Sequence, residues 1–233
     1  MLATGLVVFG VMSVTAPVGA SEEAGFELGA RLGYGVPLGR ASGEGDDLNE
    51  LIAGQVPLWL DLGIRADRLF VGAYFQYGLG LLGDDVSESC EELEDSAEAQ
   101  PDGDAGCHVR DVRIGAQLHY HFGPPLKPDP WLGIGAGYEW VTVSAWAEAD
   151  DEEVSLSSTG RGFELLNLQG GIDFPLGPTT SLGPFVTWTL SRFDKASASC
   201  NGDCGDLSDE EQDIEDKALH HWVFVGARFS LFP

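Results

Sequence analysis

The sequence predicts an all-β protein, an eight-stranded antiparallel up-and-down β-barrel whose strands cross a membrane. Three observations predict it. Apolar and polar residues alternate with a period of two through almost the whole chain. Long acidic connections alternate with short ones. One row of each strand stays apolar for about nine to eleven residues, the length that a tilted strand needs to span a bilayer.

The first strand, GFELGARLGYGVPLG (25–39), sets Phe26, Leu28, Ala30, Leu32, Tyr34, Val36 and Leu38 against Glu27, Gly29, Arg31, Gly33 and Gly35. The second, QVPLWLDLGIR (55–65), sets Val56, Leu58, Leu60, Leu62 and Ile64 against Trp59, Asp61, Gly63 and Arg65. The third (69–82) and fourth (111–122) alternate in the same way, with Tyr74 and Gln76, then Arg113, Gln117, His119 and His121, on the polar rows. The fifth (131–145) places Glu139 among glycines, and the sixth (164–174) opposes Leu166, Leu168 and Ile172 to Asn167, Gln169 and Asp173. The seventh (182–193) is less regular. The eighth ends the chain as HHWVFVGARFSLFP, with Val223, Val225, Ala227, Phe229 and Leu231 opposite Trp222, Phe224, Gly226, Arg228 and Ser230.

The connections after strands one, three, five and seven are expected to be long acidic loops, at about 40–54, 84–108, 148–161 and 195–217. Those after strands two, four and six are short: ADR, GPPLKPDP and PLGPTT. Bacterial outer-membrane barrels have this asymmetry, with short periplasmic turns and long extracellular loops. An even strand number puts both termini on the periplasmic side. The uncharged stretch 1–20 ends in Val18-Gly19-Ala20 and reads as a secretory signal peptide, leaving 21–233 as the barrel. A transmembrane helix is the competing reading of that stretch.

The polar row is expected to face inward. A lipocalin-like soluble barrel would bury the apolar row instead, but glycine on a solvent-facing strand only weakens it. Inside an eight-stranded barrel, which has room for side chains and little more, glycine would relieve crowding around Trp59, Tyr74 and Trp222. The inward row carries Glu27, Asp61, Asp111, Glu139 and Asp173 with Arg31, Arg65, Arg113 and Arg228, a nearly balanced set. Strand closure predicts a Glu27–Arg228 pair, and Glu139 is expected to meet Arg113. Unpaired charge in so confined a core would cost several kcal/mol. A lumen plugged in this way argues against a free aqueous pore.

The formal charge of −26 excludes nucleic acid, which needs clustered Lys and Arg. Four cysteines, Cys90, Cys107, Cys200 and Cys204, lie in acidic loop-like segments and suggest disulfides in an oxidising compartment. Local pairing is the simplest of the three connectivities; zinc ligation fits the spacing poorly.

The tail residues Gly226, Phe229, Leu231 and Phe232 resemble the C-terminal signal by which the barrel assembly machinery recognises its clients. Pro233 and Phe224 depart from that pattern. With the eight-strand meander, the chain resembles the small OmpA/OmpX-like outer-membrane barrels over 25–233. The resemblance implies an outer-membrane location, with outer-membrane lipid, lipopolysaccharide and the assembly machinery as partners. It does not fix a function, because one barrel class serves anchors, adhesins, channels and lipid-modifying enzymes.

The chemistry expected is accordingly modest: no catalytic, cofactor or resident metal residues, and a structural or interactive role for surface-displayed, disulfide-clipped loops. A narrow channel is the alternative. A lipid A-modifying hydrolase is the second, with Ser191 and His220 at the rim oriented by Glu215 or Asp216 as its best candidate residues. The acidic loops could gather divalent cations, although solvated, mutually repelling carboxylates give the same pattern.

Overall fold

A computed structural model describes residues 24–43, 47–100, 103–123, 127–149, 152–202 and 210–232. The expected signal peptide, 1–20, lies outside the described residues, as does Cys204. In chain order the elements are β1 (Gly25–Gly39), α1 (Leu48–Leu51), β2 (Ile52–Ala66), β3 (Leu69–Leu82), α2 (Asp84–Glu98), β4 (Asp104–His121), β5 (Asp129–Ala149), β6 (Glu152–Pro175), β7 (Thr180–Asn201), β8 (Glu210–Asp213) and β9 (His220–Leu231). Every strand from β1 to β7 pairs antiparallel with its successor, and β9 lies between β7 and β1. The β1–β9 seam runs from Leu28↔Leu231 to Gly39↔His220. The ring is therefore closed by eight strands, and β8 is a short addition to β7, pairing Lys195–Ala198 with Glu210–Asp213.

Burial divides the two rows as alternation requires. Leu58, Leu60, Leu62 and Ile64 are 47–58% exposed, whereas Trp59 and Asp61 between them are 1% exposed. The outer surface carries a band of Leu, Val, Ile and Phe, with Tyr120 and Phe122 near the short turns and Tyr138 and Phe163 toward the opposite end. Apolar side chains outside and arginines inside reverse the arrangement of a soluble domain, and lipid is the surrounding medium that makes this stable.

Tyr74 shows why the interior needs glycine. It crosses the lumen so that its hydroxyl donates to Glu164 Oε1 at 2.6 Å. A Cβ at Gly115 or at Gly137, its neighbours across β4 and β5, would come within 2.4 Å of the Tyr74 oxygen. The glycines clear Tyr74 as expected. Among the described glycines, the nearest atoms that a Cβ would meet do not belong to Trp59 or Trp222; other tight ring contacts include those with Phe224, at Gly35, and with Trp131, at Gly171.

On the long-connection side the structure differs from the sequence reading. β4 begins seven residues before position 111, β6 begins at Glu152 rather than 164, and β7 continues to Asn201. Most of the loops expected at 148–161 and 195–217 is thus strand within the described residues. Beyond the bilayer a strand need not be apolar on either face, and here its ladder is lined by hydroxyl pairs such as Thr142–Thr159 (2.9 Å) and Ser144–Ser157 (2.8 Å). Those residues carry no alternation to read.

The connection 84–108 differs more. Its first part is the helix α2, where the sequence reading expects extended loop. Asp84 and Asp85 in the first turn face the positive end of the helix dipole. Cys90 and Ala97 are buried on its inner side, and a Cys90–Cys107 disulfide closes 17 residues to bind α2 to β4. Cys200 is also disulfide-bonded.

Closing a loop of that length removes about 3 kcal/mol of unfolded-chain freedom. The double substitution Cys90→Ser with Cys107→Ser should leave the heat-modifiable gel mobility of the barrel intact while limited proteolysis cuts 84–98 faster. Cleavage at the wild-type rate would show that α2 is held without the bond.

Candidate functional site

Among the described residues the lumen holds three fully buried arginines, each centring a nest of polar partners, and two of these nests meet at Asp61. Nearest the short turns, Arg228 contacts Glu27 at 2.7 Å and is hydrogen-bonded to Asp173. Arg65 donates to Glu27 (3.4 Å) and Asp129 (3.0 Å), and Asp129 is bonded to His121 Nδ1 (2.8 Å). One level up, Arg31 donates to Asp61 (2.6 Å), Gln169 (2.7 Å) and Gln117 (3.2 Å). Arg31 and Arg228 are direct cross-strand partners. Two like charges so placed would repel; Asp61 lies between them, 3.9 Å from Arg228 Nε.

Arg113 centres the third nest. Its Nε donates to Asp111 (2.9 Å) and its Nη1 to Glu164 (3.0 Å) and Thr189 (3.1 Å). Its Nη2 is 3.0 Å from Glu139, its cross-strand partner. Glu139 is in turn hydrogen-bonded to His220 Nε2. Gln55 and Gln76 donate to Asp111 at 2.7 and 3.1 Å. Aromatic rings pack against each arginine: Arg31 lies 5.1 Å over Trp59, Arg113 5.4 Å over Trp222 and Arg228 5.0 Å over Trp131. Weakly hydrated guanidinium groups suit such flat apolar faces.

Of the lumen charges singled out from the sequence, Glu27, Arg31, Asp61, Asp111, Arg113, Glu139, Asp173 and Arg228 are buried in the interior and Arg65 is partly buried. The structure adds Glu164 and Asp129, so that the acids exceed the arginines by more than the sequence count, with His121 and His220 set beside the surplus carboxylates. Glu164 is missed by sequence reasoning for a definite reason. An extra residue at Leu165 breaks the register of β6 with both neighbours, so the alternation counted back from Asn167 assigns Glu164 to the wrong face. Asp129 falls in a segment that reads as a turn.

The tail residues have distinct placements. Phe229 faces outward, and the Phe232 ring sits against Gly25 and 5.9 Å from Arg65. The departure at Phe224 has a physical cause: the ring is fully buried in the lumen, edge-on to Trp59 at 4.7 Å and stacked on Trp222.

Ser191 and His220 are opposite one another in the β7–β9 ladder, both without exposed surface. Phe193 covers His220, ring to ring at 4.2 Å. Glu215 and Asp216 are exposed, and Glu139 from across the lumen is the acid that bonds His220. His119 is stacked between Phe70 and Trp131 at 4.9 and 4.8 Å, a packing role, whereas His121 bonds Asp129. Among the described residues no group of three or more His, Cys, Asp or Glu side chains converges as a metal site would require.

Above Phe193 the wall formed by β5–β8 rises past the bilayer and faces α1. Between them is an apolar cavity of about 440 Å³. Leu48, Leu51, Ile52, Val141, Val143 and Phe193 are among the residues that line it. The basic side chains around this mouth are already engaged. Lys195 and Arg161 both bond Glu211, while Lys217 donates to Asp194 at 2.8 Å and Arg192 lies 3.0 Å from it. The Lys217 hydrogen bond holds the Asp194 carboxyl below the usual carboxylate range.

No protein-family model matches this chain, and no curated sequence does. Solved structures do resemble it. A major outer membrane protein from Thermus thermophilus superposes with a TM-score of 0.50 at 13% identity, covering 89% of this chain and 99% of that one. The chain has the fold of an outer-membrane β-barrel. Neisserial surface protein A (TM-score 0.47, 14% identity, 89% of this chain and 98% of that) and the outer membrane protein AlkL (0.42, 12%, 95% and 98%) are similar as well.

Removing Arg113 would strand Asp111, Glu139 and Glu164 together. Arg113→Ala should therefore cost about 3–5 kcal/mol, read as a lower urea midpoint for the barrel in lipid vesicles. Arg113→Met paired with Glu164→Leu and Glu139→Gln should recover part of that loss. An unchanged midpoint for Arg113→Ala would show that the nest does not hold the barrel together.

Proposed function

We propose that this protein is a non-enzymatic barrel of the bacterial outer membrane that presents the β4–β8 wall and α2 at the cell surface, with its termini in the periplasm. The observation that carries this reading is the lumen itself. Three arginine nests, each bonded across several strands and packed against Trp59, Trp131, Trp222 and Phe224, fill it with paired side chains, which supports a lumen without an open aqueous path. Opening such a path would mean breaking buried ion pairs, at several kcal/mol for each unpaired charge. A channel would need that rearrangement.

The side-chain-filled barrel is then an anchor, and its activity belongs to what it displays. The described residues on the side of the long connections form extended strands, a helix and a disulfide, where a simple spacer would need none of these. An acidic surface of this kind suits contact with cationic groups, including the divalent cations that bridge lipopolysaccharide. A hydrolase built on Ser191 and His220 finds little support, because neither side chain is exposed and Phe193 covers His220.

Two measurements test the reading. In planar bilayers the purified barrel should give no resolvable single-channel steps in molar KCl; steady steps would move the channel to the front. On intact cells, a tag inserted between Gly202 and Glu210 should bind antibody, and a tag reached only after the outer membrane is permeabilised would reverse the orientation.

A further inference from the structure

The cavity over Phe193 is not explained by anchoring. A loop cap that served only to seal the barrel would be expected to fill its own apolar interior, since empty apolar space forfeits dispersion contacts. Here Leu48, Ile52, Val141 and Phe193, with their neighbours, line an open-mouthed cavity of about 440 Å³. That volume is in the range of small-molecule sites. Its floor is a dead end: Phe193 rests on His220, and beneath His220 lie Glu139 and the Arg113 nest. Whatever enters stops there.

The walls select an apolar body. The rim selects a charge. Among the described residues Asp213 is the one ionisable group of the lining, its carboxylate 80% exposed and 4.0 Å from a lysine that is already committed to Glu211 at 2.6 Å. The other basic groups described at the mouth are likewise paired, Arg161 with Glu211, Arg192 and Lys217 with Asp194, and Arg40 with Asp47 at 3.4 Å. A free carboxylate or phosphate would meet no open cation among them and would approach against the field of a chain of net charge −26. An ammonium would be drawn in by that field and could settle beside Asp213.

We infer that the cavity between α1 and the β5–β8 wall is a binding site for a small cationic amphiphile, an alkyl or aryl amine whose hydrocarbon lies on Phe193, Val141 and Val143 and whose ammonium sits at Asp213. This rests on the closed-lumen reading above, and gives that barrel a ligand class it otherwise lacks.

The test uses three water-soluble probes of one shape: hexylammonium, hexanol and hexanoate. Their binding to the full barrel in nanodiscs is followed by ligand-observed NMR, with empty nanodiscs subtracted. The expected order is hexylammonium tightest, hexanol weaker and hexanoate weakest. Ala196→Phe, which fills the cavity from β7, should weaken all three about tenfold or more. Asp213→Asn should weaken hexylammonium by about two- to fivefold and leave hexanol unchanged. Heat-modifiable mobility confirms that each variant folds, and Val143→Phe replaces Ala196→Phe if that variant does not. Saturable binding that survives both cavity-filling variants, or hexanoate binding as tightly as hexylammonium, would overturn the inference. No saturable binding to wild type would overturn it too, while a non-conducting, folded barrel would leave the anchoring role intact.

Discussion

The structure depends on closing a hydrogen-bonded ring where no water can satisfy an open edge. The β1–β9 seam does this, and it dictates the rest. Once the ring is closed, each strand has one row in lipid and one row in a narrow core, so the outward residues within the bilayer must be apolar and the inward polar residues must find partners in the core, many of them on other strands. The arginine nests follow directly. A guanidinium has donors in several directions, and in a barrel of this width those directions lead to different strands. Arg113 reaches β6 through Glu164, β5 through Glu139 and β7 through Thr189. Each nest therefore acts as a cross-brace inside the ring.

The same constraint explains what is legible in the sequence. Within the bilayer, hydrophobic alternation is a strict requirement, and the row assignments of β1, β2, β3 and β4 can be read from it residue by residue. Even the meeting of Glu27 with Arg228 across 201 positions follows from knowing that the first and last strands must pair. Where a bulge adds a residue, parity reverses without any compositional signal, and Glu164 is lost in that way. Above the bilayer the requirement lapses. Ser155, Ser157 and Thr159 form strand as readily as Leu60 and Leu62, but their rows do not contrast, so β6 reads as beginning twelve residues late.

The helix α2 and the mouth cavity are hidden for a related reason. The run of Asp and Glu from 84 to 98 reads as repulsive loop when charge alone is counted. What folds it is local: dipole-compatible acids at its start, good helix formers in its body, and a disulfide that fastens its inner face to β4. The cavity depends on Leu48 and Ile52 being carried over the lumen toward Val141 and Val143, from a segment far away in the chain. No periodicity encodes such a meeting. Ser191 and His220, by contrast, can be paired from strand order, but their burial and their acid partner, Glu139, come only from the register across the whole ring.

Everything turns on which row faces lipid. Spin labels placed singly at Leu58, Leu60, Leu62 and Ile64 of the barrel in lipid vesicles would measure that most directly, through collision with oxygen, which concentrates in lipid, and with a polar nickel chelate, which stays in water. An inward polar row predicts high oxygen and low nickel accessibility at all four positions, deepest at the middle of β2. Low accessibility to both reagents along this row would mean that it is buried in a protein interior, and the barrel would then be a soluble container turned inside out.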